Sequence, residues 1–271
     1  MLRTRVITAL VLLAVLVALL YLNSLPVFVV VAAIFFAAAV WESLRLFRSK
    51  RPMLAAGLWT VVFVVIAFHG AFLERLLFGL CVAIWVIRLA PALAIGLPDF
   101  ERVANRLLNG LYGIAILGCF VAILALFKHS ALYLFSALAI VWIADIGAYF
   151  SGKAFGRRKL APSISPGKSW EGAIGGWLAV LVVAAATVAL PELSDTFAVK
   201  LQTRWGWPGL FAVLSALVAA SIVGDLFESQ LKRRAGRKDS SNLLPGHGGV
   251  LDRIDALIPA LPLAVLVDFW I

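Results

Sequence analysis

The sequence predicts an all-α, polytopic integral membrane protein, and its composition, hydropathy and apolar runs all indicate that class. Of its 271 residues, 63% are hydrophobic and 14% are charged, whereas soluble domains are typically about 45–50% apolar and about 25% charged. The mean hydropathy is +1.03. Apolar runs of about 20 residues, the length that crosses a bilayer, follow one another along the chain. A soluble globular domain is therefore excluded.

We expect about nine transmembrane helices joined by short polar connections. The stretch before the first helix, Met1 to Arg5, resembles the basic region of a signal peptide, but no small-residue cleavage site follows, so we interpret the first span as an uncleaved anchor. The expected spans are roughly 7–22, 26–44, 53–72, 76–97, 107–127, 131–151, 172–191, 208–228 and 254–271.

No outer connection is long enough to fold by itself, so residues 1–271 are predicted to form a single membrane domain. The first five spans carry few ionisable residues. We therefore expect residues 1–130 to be scaffold spans, and residues 131–271 to be a catalytic half with two charged loops, 152–171 and 229–253.

The distribution of basic residues predicts the orientation. With the N-terminus in the cytoplasm, 19 of the 24 Lys and Arg residues fall on the cytoplasmic side and four on the outer side, while Arg88 lies within a span. Cytoplasmic loops are enriched in Lys and Arg, so we predict a cytoplasmic N-terminus and place both charged loops on the cytoplasmic face. The same rule accounts for the net charge of +10 without a nucleic-acid partner.

The first cluster of charges is predicted to lie along one face of the eighth helix. Asp225, Glu228, Ser229 and Lys232 are spaced at i, i+3, i+4 and i+7, which places them in one stripe. A salt-bridged helix end is the ordinary explanation. A carboxylate so close to the hydrocarbon region is costly, however, and this favours a binding site.

The second cluster precedes the last span. Asp252 and Asp255 follow Gly248-Gly249, and Asp255 has an ordinary role as a helix cap. Asp225 and Asp252, on different helices, would together form a hard-oxygen site for Mg²⁺. The glycines would allow backbone N–H groups to approach a phosphate. For His247 three roles remain open: phosphate ligand, general acid or base, and hydrogen-bonding group of the loop.

The loop after the sixth span contains Gly167-Lys168-Ser169, which suggests a P-loop. That motif needs a glycine where Pro162 stands and a preceding strand, so we reject it. A lysine presented from a Pro-Gly turn still binds phosphate as a point charge. Asp145, inside the sixth span, is either a further member of the site or an interhelical hydrogen-bonding residue.

One run in the C-terminal half resembles a known family. It reads SQLKRRAGRKDSSNLLPGHGGVLDRID over residues 229–255 and is similar, at every fixed position, to the signature of phosphatidate cytidylyltransferases (CDP-diacylglycerol synthases). Segments 144–149, 165–172 and 224–229 also resemble that family. The resemblance covers about residues 140–265, and the short chain is similar to the bacterial members. Ala256 departs from the serine that is common there.

The resemblance implies the conversion of CTP and phosphatidic acid into CDP-diacylglycerol and pyrophosphate. It also implies Mg²⁺, in some members a second, monovalent cation such as K⁺, a homodimer, and a site on the cytoplasmic face of the bacterial inner membrane. By resemblance, Asp225 and Asp252 are the metal carboxylates. The residues expected to act at the reacting phosphates are Asp225, Asp252, Lys168, Lys232, Arg233, Asp239 and His247. Those expected to bind substrate are Asp145, Lys153, Ser165, Glu171, Glu228, Ser229, Lys238, Gly248, Gly249 and Arg253.

Three other functions share the membrane setting. A CTP-dependent lipid or polyprenol kinase would use the same ligands but transfer the γ-phosphate. A CDP-alcohol phosphotransferase would carry an aspartate-rich motif that is absent here. A transporter would be expected to place charges near the bilayer midplane in both halves, whereas these charges gather at one face of one half.

Overall fold

The structure is a computed structural model that describes residues 2–70 and 74–271, with the backbone alone for residues 2–5 and 9. The end of the third expected span, 53–72, lies outside the described residues. So do the side chains of Arg3 and Arg5, which contributed to the count of basic residues.

Helices form most of the described chain, so the prediction of an all-α, polytopic membrane protein is confirmed. The N-terminal helices are α1 (Leu2–Leu22), α2 (Leu25–Leu46), α3 (Pro52–His69), α4 (Glu74–Ile84), a π-helical turn (Trp85–Leu89), α5 (Ala90–Ile95), α6 (Val103–His129) and α7 (Ala131–Phe155). The later helices are α8 (Trp170–Val188), a 3₁₀ turn (Pro191–Leu193), α9 (Phe197–Arg234), α10 (Leu251–Ile254) and α11 (Leu257–Asp268).

Among the described residues, seven helical stretches are long and apolar enough to cross a membrane. These are α2, α3, the continuous stretch Glu74–Ile95, α6, α7, α8 and α9. The first and last expected spans correspond to shorter apolar helices, Val6–Leu22 and α11. The total of nine spans therefore stays a prediction.

Several boundaries differ from the expected ones in the C-terminal half. Helix α9 begins at Phe197, within the expected outer connection, and breaks from helical geometry at Gly206. It then continues to Arg234, several residues into the expected loop 229–253. The last expected span, 254–271, instead begins at Leu257, after a turn that separates α10 from α11. Charged residues at a helix end do not stop a helix when that end reaches water, and hydropathy therefore underestimated α9.

The loop expected at 152–171 contains a small hairpin. Helix α7 runs to Phe155, and two antiparallel strands follow, β1 (Lys159–Ala161) and β2 (Ser165–Ser169). The composition of β2, Ser-Pro-Gly-Lys-Ser, has low strand propensity, so the sequence did not predict a strand. Backbone pairing with β1 holds it, and the Ser169 hydroxyl then caps α8 by accepting a hydrogen bond from the Gly172 N–H at 3.1 Å.

Aromatic residues fill the centre of the bundle around α6, the most enclosed of the long helices. Phe120 of α6 packs edge-on against Phe36 and Phe63. Nearer the charged loops, Tyr112 of α6 contacts Phe227 of α9 with ring centroids 5.1 Å apart. This core fixes α9 against the N-terminal helices, and α9 carries most of the charges described below.

Contacts divide the helix ends into two groups. At one end, Thr8 in the first turns of α1 donates to the Pro245 carbonyl at 2.8 Å, and both charged loops lie at this end of their helices. At the other end, Lys128 pairs with Glu74 at 3.3 Å, and His129 lies 3.0 Å from Asp195. The two charged loops thus share one end of the molecule, as the alternation of spans requires.

Candidate active site

A cavity of about 490 Å³ opens between α7, α8, α9 and the hairpin. Small and apolar residues of the three helices form much of its wall, which keeps the helices close together. Its charged and polar lining includes five residues that the sequence assigned to the site: Asp145, Lys153, Ser165, Lys168 and Asp225.

The closest charge pair in this cavity joins the hairpin to α9. Lys168 Nζ lies 2.6 Å from Asp225 Oδ2, and each side chain is a little over a quarter exposed. One turn further along α9, the Ser229 hydroxyl donates to Asp225 Oδ1 at 3.2 Å. Strand β2 places Lys168 directly before the Ser169 cap of α8, so its direction is set by both the hairpin and the helix start.

A second charge cluster lies further along the same face of α9. Lys232 pairs with Glu228, four residues before it, and with Asp252 Oδ1 at 2.6 Å. The Asp252 Oδ2 atom accepts hydrogen bonds from the Ser240 N–H at 2.9 Å, the Ser240 hydroxyl at 2.7 Å and the Gly249 N–H at 2.8 Å. The predicted stripe on α9 therefore contacts both charged loops.

These contacts determine the ionisation of Asp252. Burial by itself raises the pKa of this carboxyl group, but hydrogen bonds from Lys232, the Gly249 N–H and Ser240 outweigh burial and hold the pKa below its usual range. Asp252 is therefore a carboxylate at neutral pH. Three of its four hydrogen bonds go to Oδ2, whereas Oδ1 accepts one, from Lys232.

The remaining residues proposed from sequence lie at the same end of the molecule but do not line the cavity. Lys238 and Asp239 are exposed in the loop after α9. Arg233 donates to the Ile164 carbonyl of the hairpin at 3.3 Å. Arg253 donates to the His247 carbonyl at 2.8 Å, and His247 Nδ1 is buried without a hydrogen-bond partner in the described structure. The substrate roles of these residues stay predictions.

Two further residues proposed to bind substrate have contacts within the protein. The Glu171 carboxylate accepts hydrogen bonds from the Arg157 and Arg158 backbone N–H groups at 3.0–3.2 Å. Gly248 has a φ of +83°, a conformation that favours glycine. Glu171 and Gly248 therefore contribute to the backbone shape of the two charged loops.

Sequence reasoning missed one contributor from the N-terminal half. Glu42 of α2 is fully buried. It accepts hydrogen bonds from Ser240 and Ser241 of the loop after α9, and Ser240 also contacts Asp252. The available signal was an acidic residue at the end of a membrane helix, because such residues are costly there and usually have a partner.

Comparison with known proteins decides the family. The model of the cytidylyltransferase family matches residues 3–270. The chain belongs to this family. It is 37% identical to a phosphatidate cytidylyltransferase of Haemophilus influenzae over 296 aligned positions that cover 100% of both chains. It is 34% identical to one from Helicobacter pylori, with 98% of this chain and 92% of the relative covered. A third, from Pseudomonas aeruginosa, is 53% identical over 129 residues, 47% of this chain and 44% of the relative.

In the described part of this cytidylyltransferase, no group of three or more His, Cys, Asp or Glu side chains converges as a metal cluster. Its carboxylates instead alternate with lysines, as Asp225 with Lys168 and Asp252 with Lys232. Such paired acidic and basic side chains suit an anionic ligand that binds together with a cation.

Proposed function

We propose that this protein is a phosphatidate cytidylyltransferase that converts CTP and phosphatidic acid into CDP-diacylglycerol and pyrophosphate. The names of its full-length relatives support this proposal. The single observation that carries it at the site is the Lys168–Asp225 pair, which lines a cavity of about 490 Å³. Asp225 lies on α9, the helix that also carries Lys232 of the Lys232–Asp252 pair. Ligand pockets typically measure about 300–1,000 Å³.

The reaction is a displacement at the α-phosphorus of CTP. A phosphate oxygen of phosphatidic acid forms the new bond, the bond to the oxygen bridging the α- and β-phosphorus breaks, and pyrophosphate leaves with that electron pair. A phosphate monoester has a second pKa of about 6, so the nucleophile is already largely dianionic at pH 7. A strong base is therefore unnecessary, and the protein must mainly neutralise and align two anions.

The lysines of the cavity are suited to this neutralisation. Lys168 and Lys153 line it, and an ammonium group binds phosphate as a point charge. When an anionic ligand enters, Lys168 can exchange its contact with Asp225 for a phosphate oxygen, which would free a carboxylate oxygen beside that phosphate. We propose that Arg233, Lys238 and Arg253, which lie on the surrounding loops, add positive charge.

We propose Mg²⁺ as the cofactor. Carboxylate oxygens are its preferred protein ligands, and it usually takes only one or two of them together with substrate phosphates. Asp225 and Asp145 line the same cavity, so the donor set fits. Asp252 Oδ2 already accepts three hydrogen bonds, so Oδ1, which contacts Lys232, would be the oxygen that binds the ion. When bound, Mg²⁺ would neutralise charge on the CTP phosphates; a second, monovalent cation stays a proposal without assigned ligands.

We also propose a bacterial inner-membrane location with the site facing the cytoplasm, and a homodimer by family resemblance. The asymmetry of basic residues supports the orientation. The contact between Thr8 and Pro245 supports an N-terminus at the same end as the site. CTP would then arrive from the cytoplasm and phosphatidic acid from the adjacent leaflet.

The test uses purified protein in detergent with phosphatidic acid, Mg²⁺ and CTP labelled separately at the α- and γ-phosphates. We expect the α-label to enter lipid and the γ-label to leave as pyrophosphate, with both transfers stopped by EDTA and restored by added Mg²⁺. Entry of the γ-label into lipid would instead identify a lipid kinase. Turnover that persists in EDTA would contradict the metal assignment alone.

A further inference from the structure

Glu42 stands apart from the other acidic residues because it comes from the N-terminal helices. It lies near the end of α2 and is fully buried. Burying a carboxylate is costly unless hydrogen bonds compensate for the lost water. The hydrogen bonds described for Glu42 all join it to one segment, residues 240–251, which runs from the loop after α9 to the first residue of α10.

Four donors surround its carboxylate. Oε1 accepts from the Ser241 hydroxyl at 2.5 Å and from the Val250 N–H at 3.1 Å. Oε2 accepts from the Leu251 N–H at 2.6 Å and lies 3.2 Å from the Ser240 hydroxyl, whose single proton it shares with Asp252. Each oxygen thus joins the beginning of the segment, at Ser240 and Ser241, to its end at Val250 and Leu251. The Glu42 carboxylate therefore holds the two ends of the segment together, as Asp252 also does through Ser240 and Gly249.

The same segment adjoins Asp252. The Ser240 hydroxyl is within hydrogen-bond distance of both Glu42 Oε2 and Asp252 Oδ2, and Asp252 Oδ1 contacts Lys232. Gly249 lies between the two carboxylates, and a Cβ atom at this position would collide with the Ser240 hydroxyl and the Glu42 carboxylate. A continuous chain of polar contacts therefore connects α2 with the charged face of α9.

We propose that Glu42 is a positioning residue of the active site: it fixes segment 240–251 so that Asp252 stays against Lys232. This inference rests on the proposed function, because it assigns Glu42 a role in the same reaction. Glu42 does not line the cavity, so it acts through the segment. Glutamine at this position would turn an NH₂ group toward N–H and O–H donors, which would leave buried donors unpaired.

The experiment compares Glu42→Gln and Glu42→Asp with wild type and with Glu101→Gln, an exposed acid before α6, as the matched control. Steady-state assays of CDP-diacylglycerol formation give kcat and KM for CTP. Limited trypsin digestion, followed by mass spectrometry, compares cleavage after Arg237 and Lys238 in the loop with cleavage after Arg157, just before the hairpin.

For Glu42→Gln we expect kcat to fall about 100-fold, as when a reacting group is misplaced by about 1 Å, while KM for CTP changes far less. Cleavage after Arg237 and Lys238 should increase selectively. Glu42→Asp should recover part of kcat because its carboxylate still accepts hydrogen bonds, and Glu101→Gln should match wild type. Unchanged kcat in monodisperse Glu42→Gln protein, or increased cleavage at all sites alike, would overturn the proposal.

Should Glu42→Gln fail to fold, Ser241→Ala decides, because the Ser241 hydroxyl contacts Glu42 and not Asp252. We expect a lower kcat together with faster loop cleavage; wild-type values for both would overturn the proposal. Failure of the proposed function looks different. Wild-type protein would then make no CDP-diacylglycerol, while the trypsin comparison would still report whether Glu42 holds the segment.

Discussion

At the scale of single residues, the Lys168–Asp225 pair is the contact that an incoming phosphate would meet in the cavity. Asp225→Asn removes the negative charge that holds Lys168 and offers a weaker metal ligand. Loss of one preorganised electrostatic group typically costs about 10²–10³ in kcat, so we expect at least that loss for Asp225→Asn, and a similar loss for Asp252→Asn. CDP-diacylglycerol formation by purified variants measures it.

Lys128→Ala provides the control for these variants. Lys128 also pairs with a carboxylate, Glu74, at 3.3 Å, but this pair lies at the opposite end of the molecule. Surface ion pairs contribute only about 0–1 kcal/mol to the free energy of unfolding. Because this pair is also far from the site, activity should remain close to wild type. Substantial turnover in Asp225→Asn, with comparable insertion into the membrane, would exclude the carboxylate as an essential ligand.

Glu171 gives a second prediction at this scale. Its carboxylate accepts hydrogen bonds from the backbone of Arg157 and Arg158, so Glu171→Ala should loosen the hairpin that presents Lys168. We expect faster tryptic cleavage after Arg157 and Arg158. We also expect kcat to fall about tenfold, which corresponds to an increase of about 1.4 kcal/mol in the activation free energy. A large increase in KM for CTP, without faster cleavage, would instead support direct substrate binding.

Sequence spacing correctly predicts that the four charged and polar residues of α9 share one face, because that depends only on the helical period and not on the rest of the chain. The structure brings Asp225 together with Ser229, and Lys232 with Glu228, as the helical period requires. Spacing could not predict Glu42, whose partner Ser240 is 198 residues away. Nor could spacing show that Asp252 is surrounded by four donors, since the loop creates three of them.

At the scale of elements, the approach of α9 to α11 depends on Gly224. A Cβ atom there would meet the Asp255 carbonyl and would lie 2.7 Å from Pro259 Cδ. Gly224→Ala should therefore force the helices apart and destabilise the protein by about 1–3 kcal/mol. Since Asp225 is the next residue, activity should fall with it. Thermal unfolding in detergent and CDP-diacylglycerol formation measure the two effects.

Gly79→Ala is the matched control, because Gly79 lies within α4 and an added Cβ atom there would meet no described neighbour within 4 Å. Replacing a helical glycine by alanine favours the helix by up to about 1 kcal/mol, so this variant should be as stable as wild type or more stable. Equal melting temperatures for Gly224→Ala and wild type would contradict the close packing of α9 on α11.

Element boundaries were harder to predict than element types. Hydropathy located the long helices, because an apolar run reports directly on membrane burial. It did not locate the hairpin, whose strands are held by backbone pairing and by Glu171 rather than by apolar side chains. It also missed the turn at Asp255 and Ala256, which separates α10 from α11.

At the scale of the whole molecule, contacts at the two ends agree with alternating spans. The loop after α9 meets α1 and α2 at one end, through Thr8 and Glu42. The 3₁₀ turn and the start of α9 meet α7 at the other, where Asp195 accepts a hydrogen bond from the Ser130 hydroxyl at 2.6 Å. The loops 152–171 and 229–253, which lie at the end that holds the cavity, carry eleven Lys and Arg residues, a positive charge that favours anionic ligands there.

The orientation itself can be measured with single introduced cysteines. Asn242→Cys lies in the exposed loop beside the site, and Glu192→Cys lies in the exposed 3₁₀ turn at the opposite end. The native Cys81 and Cys119 are buried and should react little with a membrane-impermeant maleimide. We expect Glu192→Cys to be labelled in intact spheroplasts, and Asn242→Cys only in inside-out vesicles. The reverse pattern would place the site outside the cytoplasm, where CTP is not supplied, and labelling of both from one side would contradict the separation of the two ends.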